Sequence, residues 1–272
     1  DLLPMAACVK ALDAAFRRQS ERIISNHPRR RLSVPNGVFH FMESADIALG
    51  RAAIKLYSSF PPKSRFLVLL FDVTNGDLLS VMEGDKLGQI RTGAASGVAT
   101  DYLSNESAEI LTIFGSGWQA ESQAQAIAAV RKLKEIRIYS RDADRRKAFA
   151  EKLEADLSVT CVPSETPDEA LQETHIISTA TTSRTPVFDG NLLPRGVHVN
   201  AIGSNMLSKA EIDLKTVVRA NRVVVDSIEQ AKIEAGDLVG SIEARKLRWE
   251  GVYELHEVVS GNVQGRRDEE EI

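Results

Sequence analysis

The sequence has little cysteine, few aromatic residues and no excess of positive charge. Its two cysteines, Cys8 and Cys161, stand far apart without CxxC spacing or histidine-rich surroundings. That excludes a disulfide framework and a spaced zinc site, and it predicts two buried core thiols. Lys and Arg total 34 against 38 Asp and Glu, a net charge of -4, so no global field exists to hold a nucleic-acid backbone. Apolar runs such as Phe66–Phe71 fall far short of the roughly 20 residues of a membrane helix. No basic stretch precedes an apolar one at the start, so a cytoplasmic protein with no membrane partner is expected. The histidines (His27, His40, His175, His198 and His256) form no i, i+4 pair, and no GxSxG elbow occurs, which leaves metal sites and hydrolase chemistry without support. Only 17 Gly and 9 Pro exclude a collagenous or low-complexity chain.

What is present is a soluble globular composition: 272 residues, 43% hydrophobic and 26% charged. At roughly 100–200 residues per domain, two domains are expected. Apolar residues at helical spacing from Leu2 to Gln19 predict an amphipathic helix. After the basic stretch His27–Arg31, runs at Gly37–Met42, Ala53–Tyr57, Arg65–Asp72 and Asp77–Met82, separated by Pro35-Asn36-Gly37 and Thr74-Asn75-Gly76, predict an antiparallel meander. A helix over Gly84–Leu103 follows, its small residues between Thr92 and Thr100 suited to close helix contact.

From Glu109 the rhythm changes. Strands are predicted at Ile110–Phe114, Ile136–Tyr139, Val159–Val162, Ile176–Thr179, Val197–Ile202 and Arg222–Asp226, alternating with helices such as Trp118–Leu133 and Asp144–Leu157. This is the signature of a doubly wound parallel α/β sheet. The expected division is 1–103 as a smaller α+β substrate-binding and dimerisation unit, to which 254–272 returns, and 104–253 as a Rossmann-type unit. The charged end Gly265–Ile272 reads as a solvated, frayed terminus.

The sharpest motif is Gly115-Ser-Gly117-Trp-Gln-Ala120, a GxGxxA that follows an apolar strand and opens a helix. Gly115 suits the tight turn, Gly117 lets the backbone approach a pyrophosphate, and Ala120 keeps helix and sheet close. The helix N-terminus then faces the phosphates. At the end of the next strand Ser140 takes the usual acidic position, with Arg141, Arg145 and Arg146 beside it, which favours NADP over NAD. Asp142 is close enough to reach the ribose. Asn200–Asn205 runs off a strand at the carboxyl edge of the sheet, where such folds bind ligands, so Asn205 faces the site. Asp226 ends the last strand near that edge and doubles as a candidate N-cap for Ser227–Ala235.

The runs Ile90-Arg-Thr-Gly-Ala-Ala-Ser96, Phe114-Gly-Ser-Gly-Trp-Gln-Ala120, Ser178-Thr-Ala-Thr181 and Val199-Asn-Ala-Ile-Gly203, in this order, resemble the ornithine cyclodeaminase and mu-crystallin family from about Pro28 to Asp268. Relative to that family the chain looks short at both ends, where members usually carry a strand before the first helix and a segment after Ile272. The resemblance implies a small imino or amino acid held between the domains, its carboxylate on Arg91, Lys55 and Arg29, with Arg30 and Arg31 equally placed by a slip of one or two residues. It also implies a nicotinamide cofactor along Thr92, Trp118, Gln119, Thr179, Ala180, Thr181, Ala201 and Gly203, and a homodimer formed through the meander.

Asn205 stands where the cyclodeaminases carry an aspartate assigned to activating the substrate amine. Asn is no base, so the resemblance points to the family's reductase branch, acting on pyrroline-2-carboxylate or a related ketimine. There Lys55 supplies the proton and Asn205 orients the imine. Ornithine cyclodeamination, alanine-dehydrogenase-like chemistry and a non-catalytic NADP-binding protein remain the alternatives.

Overall fold

The computed structural model describes residues 3–61 and 63–272. Leu2, where the apolar pattern begins, lies outside them, and helix α1 runs Met5–Ser20. Short strands β1 (Ile24–Asn26) and β2 (Arg30–Val34) precede three ten-residue strands, β3 (Gly37–Asp46), β4 (Arg51–Phe60) and β5 (Lys63–Asp72), and then β6 (Leu78–Glu83). They form one antiparallel sheet in the order β1-β3-β4-β5-β6, with β2 also on β3. The sequence pattern missed β1 and β2, since three basic residues and a proline mask so short an alternation. Between β5 and β6 the Asp72 carboxylate accepts hydrogen bonds from the Thr74 N–H at 2.8 Å and hydroxyl at 2.5 Å, closing the turn the Asn-Gly pair announced.

Period-two geometry sends alternate residues of this sheet to opposite faces. Val38, His40, Lys55, Tyr57 and Phe66 line a cleft. Phe41, Leu56 and Leu67, paired across β3–β5, and Ile54, Leu69 and Val81, paired across β4–β6, share the other face. There Val81 is 57% exposed and Leu67 40%.

Helix α2 (Asp85–Leu103) leaves the sheet and lies against α3 (Trp118–Val130), its small residues Gly93 and Gly97 set against Ser122 and Ala126 as their spacing predicted. The second sheet takes the order β11-β10-β7-β8-β9, all parallel: β7 (Ile110–Phe114), β8 (Glu135–Tyr139), β9 (Thr160–Pro163), β10 (Ile176–Thr179) and β11 (His198–Ala201). This is the Rossmann order, whose direction reverses between β7 and β10 and opens a crevice at their carboxyl ends. The chain is thus an α/β protein with a doubly wound sheet and a second antiparallel one. Leu111, Ile113, Ile136 and Ile138 are fully buried under α3 and α4 (Ala143–Leu157). Phe114, Ile177 and Val197 fill the other face. Cys8 and Cys161 are buried free thiols, as the composition predicted.

The expected strand at Arg222–Asp226 does form, as β12 (Val223–Val225), but it leaves the main sheet and pairs with β13 (Val252–Glu254). A short apolar run specifies a strand and not its partner. Helices α5 (Pro167–Leu171), α6 (Leu214–Arg219), α7 (Ile228–Glu234), α8 (Gly236–Glu243) and α9 (Leu255–Val259) complete the fold, α9 lying on α1.

The terminal segment is not frayed. Glu270 accepts the Gly196 N–H at 3.0 Å, Ile272 accepts the Asn221 N–H at 2.8 Å, and the Glu271 side chain is buried. Charge density along the sequence carries no information about these main-chain bonds. No helix among the described residues is long and apolar enough to cross a membrane.

Candidate functional site

The crevice of the parallel sheet and the inner face of the antiparallel one enclose a single cleft of about 910 Å³. Lys55 enters it from β4, where Ala53, Lys55 and Tyr57 alternate with Ile54 and Leu56. Arg91 enters from α2, and Arg29 and Arg31 from β2 and the residue before it. The register separates Arg30 from the other two arginines that the sequence left equally placed. Arg30 points outward to Glu43 with a 73% exposed side chain, whereas Arg29 and Arg31 both turn inward to Glu234 on α7. The Arg29–Glu234 separation is 2.8 Å. Arg29 also donates its backbone N–H to Gln230 at 2.5 Å.

Arg91 and Lys55 differ from that pair. Among the described residues neither makes a hydrogen bond or ion pair, although both border the cleft. Burial disfavours the charged Arg91 guanidinium; the Asp226 carboxylate opposes that effect most, Arg29 adds to it, and Tyr57 and Glu234 oppose it further. Burial, then Arg91 and Arg29, push the Lys55 ammonium down to about 7. Its Nζ sits 5.5 Å from the centroid of the Tyr57 ring, which stacks on His40 at 4.0 Å and on Phe66 at 4.6 Å. Burial and the neighbouring cations hold His40 down at about 4, so its imidazole is neutral and adds no charge. The cleft therefore carries two uncommitted cations against an aromatic wall, which is the electrostatic form of a site for a small carboxylate.

On the parallel sheet, Gly115 holds φ +121° and a Cβ there would meet the Ala180 carbonyl oxygen at 2.5 Å. Gly117 is the N-cap of α3, with no side chain capping the helix, and a Cβ there would project into open space. Free N–H groups at a helix end beside open volume fit a pyrophosphate. Thr92, Gly117, Trp118, Gln119, Ala180, Thr181, Ala201, Gly203 and Asn205 all border the cleft. Gly115 and Ala120 instead shape the turn and the helix–sheet contact, and Ala120 is fully buried.

At the end of β8, Ser140 lies 3.1 Å from the Ser116 hydroxyl, and Arg141 and Arg145 are exposed. Arg146 faces inward instead, donating to the Ser140 carbonyl at 2.7 Å and pairing with Glu165 at 3.0 Å. Asp142 caps α4 by accepting the Arg145 N–H at 3.0 Å.

Asp226 is not the cap of α7. Ser227 is, its hydroxyl accepting the Gln230 N–H at 3.3 Å. Asp226 borders the cleft instead, its carboxyl raised by burial. Asn205 lends its backbone oxygen to Arg31 at 3.3 Å. Thr179 is fully buried and donates its hydroxyl to Glu211 at 2.8 Å. Sequence reasoning did not point to His40, Tyr57 and Glu234, which line the cleft, or to Glu211 behind its wall. The alternation around Lys55 could have found His40 and Tyr57, but no local signal marks either glutamate.

A sequence profile of the ornithine cyclodeaminase/mu-crystallin family matches residues 1–272. The chain belongs to that family. It is 40% identical over 207 residues to a Delta(1)-pyrroline-2-carboxylate reductase of Bacillus cereus, covering 76% of this chain and 63% of that relative. The chain thus spans less than two thirds of that relative's length. Among solved structures, the Delta(1)-pyrroline-2-carboxylate reductase of Thermococcus litoralis in complex with NADH and L-proline superposes with a TM-score of 0.95 at 31% identity, covering all of this chain and 87% of that one. An archaeal alanine dehydrogenase dimer with bound NAD superposes with a TM-score of 0.92 at 28% identity, covering 100% and 85% of the two chains.

Gly115 leaves no room for a single added methyl group. Gly115→Ala is expected to cost about 2 kcal/mol or more in stability, from positive φ and the collision with Ala180 together, lowering Tm by several degrees in a thermal melt.

Proposed function

We propose that this protein is an NAD(P)H-dependent reductase of a small imino acid, such as pyrroline-2-carboxylate or a related ketimine. The observation that carries this reading is the meeting of two uncommitted cations, Arg91 and Lys55, with the dinucleotide-type crevice in one cleft. The Bacillus and Thermococcus reductases support it by likeness over most of the fold.

In this reading Arg91 presents its planar fork to the substrate carboxylate and Lys55 adds a second contact. Arg29, tied to Glu234, sets the edge of the anion site. The nicotinamide, when bound, supplies a hydride to the imine carbon. Lys55 gives a proton to the imine nitrogen, so that C=N becomes CH–NH with one hydride and one proton consumed. A lysine held near neutrality is suited to that donation. Asn205 orients the imine by hydrogen bonding. Residues 1–103 serve as the substrate-binding and dimerisation unit and 104–253 as the dinucleotide-binding one, with α9 returning to the first.

NADPH is the expected preference, because Ser140 offers no carboxylate to the ribose 2′-hydroxyl and Arg141 and Arg145 stand exposed beside it. The inward turn of Arg146 leaves the preference resting on those three residues.

The test is oxidation of NADPH and of NADH, each followed by nicotinamide absorbance, with pyrroline-2-carboxylate. Oxidation yielding proline supports the reading. Release of ammonia from ornithine without net change in cofactor would replace it with cyclodeamination, and tight NADPH binding without turnover of any imino acid would leave a binding protein.

The apolar outer face of the antiparallel sheet serves, in the same reading, as a homodimer interface. Leu67 and Val81 are exposed there on adjoining strands, beside Phe41 and Leu56. Faces of that kind on soluble proteins mark association sites, and the alanine dehydrogenase neighbour is a dimer. Leu67→Glu is expected to give a folded monomer where the wild type sediments as a dimer. A monomeric wild type in analytical ultracentrifugation would sink this assignment.

A further inference from the structure

The cleft wall at the exits of β10 and β11 is held by a residue that does not itself line the cleft. Glu211 is fully buried, and its carboxylate accepts three hydrogen bonds. Oε2 takes the Thr179 hydroxyl at 2.8 Å and the Gly203 N–H at 2.6 Å, while Oε1 takes the Thr181 N–H at 2.5 Å. Its own backbone is fixed from two sides: the Glu211 N–H donates to Asp237 at 2.6 Å, and its carbonyl accepts from Val187 at 2.9 Å.

A buried carboxylate is costly unless donors surround it, and here every donor to the carboxylate comes from the two segments that run off β10 and β11. The same carboxylate explains Gly203. A Cβ at that position would come within 2.5 Å of both its oxygens, so Glu211 itself requires the glycine.

Topology says what these two segments face. With the glycine turn at β7 and the adenine-side ribose at the end of β8, a dinucleotide laid across the crevice has its other half at β10 and β11. Ala180, Thr181, Ala201 and Gly203 border the cleft there. We infer that Glu211 is a positioning residue for the nicotinamide half of the cofactor, setting the spacing of the two loops that flank the nicotinamide ring. This rests on the dinucleotide reading above. Glutamine at this position would turn an NH2 toward at least one N–H or O–H donor, and the loop carrying that donor would have to move away.

The experiment compares two ligands by calorimetric titration of the whole chain: NADH, and ADP-ribose, which shares all but the nicotinamide. Glu211→Gln is expected to weaken NADH at least tenfold and to leave ADP-ribose within twofold of wild type. Thr179→Val removes one of the three donors without changing volume, and is expected to weaken NADH about threefold, again sparing ADP-ribose. Equal losses for both ligands, or no loss for either, would overturn the inference by reducing Glu211 to a structural role. If Glu211→Gln does not fold, Thr179→Val decides by the same criterion. Wild-type protein that binds neither NADH nor NADPH would overturn the dinucleotide reading, and this inference with it.

Discussion

Arg91→Ala is expected to abolish most imino-acid reduction while leaving dinucleotide affinity within twofold of wild type. Leaving a buried carboxylate without its ionic partner costs about 3–5 kcal/mol. At about 1.4 kcal/mol per tenfold, kcat/KM should fall by roughly two to three and a half orders of magnitude. Arg91→Lys restores the charge but not the fork, so it should recover only part of the loss.

The same substitution makes a second, opposite statement about stability. Arg91 is a desolvated cation beside Lys55 and Arg29, and its charged form is disfavoured by that burial. Removing it should leave Tm unchanged or higher, as for a site residue kept at a cost in stability. A thermal melt beside steady-state kinetics checks both halves. A variant that loses activity and Tm together would show Arg91 to be a structural residue instead.

Lys55→Met should lower kcat by roughly 10²–10⁴-fold, the usual worth of a positioned proton donor. The pH dependence carries the finer information. With the free-site ammonium held at about 7, the protonated form prevails below that value, so wild-type kcat/KM should fall as pH rises through about 7. A substrate carboxylate beside Lys55 stabilises the ammonium, so kcat should fall at a higher pH than kcat/KM. In Lys55→Met the step should vanish from both profiles.

Stability follows with its own sign. The folded protein releases the Lys55 proton near 7 and the unfolded chain near 10.5, so between those values the unfolded state binds more protons and stability rises with pH. The cost of the buried charge is fully present below about 7. Denaturant titrations across that window should show a positive slope in the wild type that is smaller in Lys55→Met. Identical slopes would place the Lys55 ammonium in ordinary solvent.

Much of the fold was legible because its elements are long and strongly patterned. The Rossmann strands are short apolar runs spaced by helices, and the GxGxxA turn sits where a strand meets a helix. The elements misread were those where local pattern is weak. Strands β1 and β2 lie in a basic, proline-containing stretch, β12 is a valine run whose partner is not encoded locally, and the terminal segment is held by backbone bonds to Gly196 and Asn221 that charge cannot announce.

The site divided in the same way. The family's motifs and the alternation around Ile54 and Leu56 point to Arg91 and Lys55, and both border the cleft. Arg29 against Arg30 could be decided only by the strand register, which turns one inward and the next to solvent.

By itself the sequence determined the sheet types, the glycine turn and the cationic side chains that border the cleft, because each depends on side-chain periodicity or on a few neighbouring residues. Tertiary structure decided which cations stay free. Glu234 reaches Arg29 from 205 residues away in the chain and, among the described residues, leaves Arg91 and Lys55 without such a partner. It also decided that Glu211 ties the exits of two strands together, from 32 residues beyond one and 8 beyond the other. Charge compensation depends on distance in space, and no window of sequence records it.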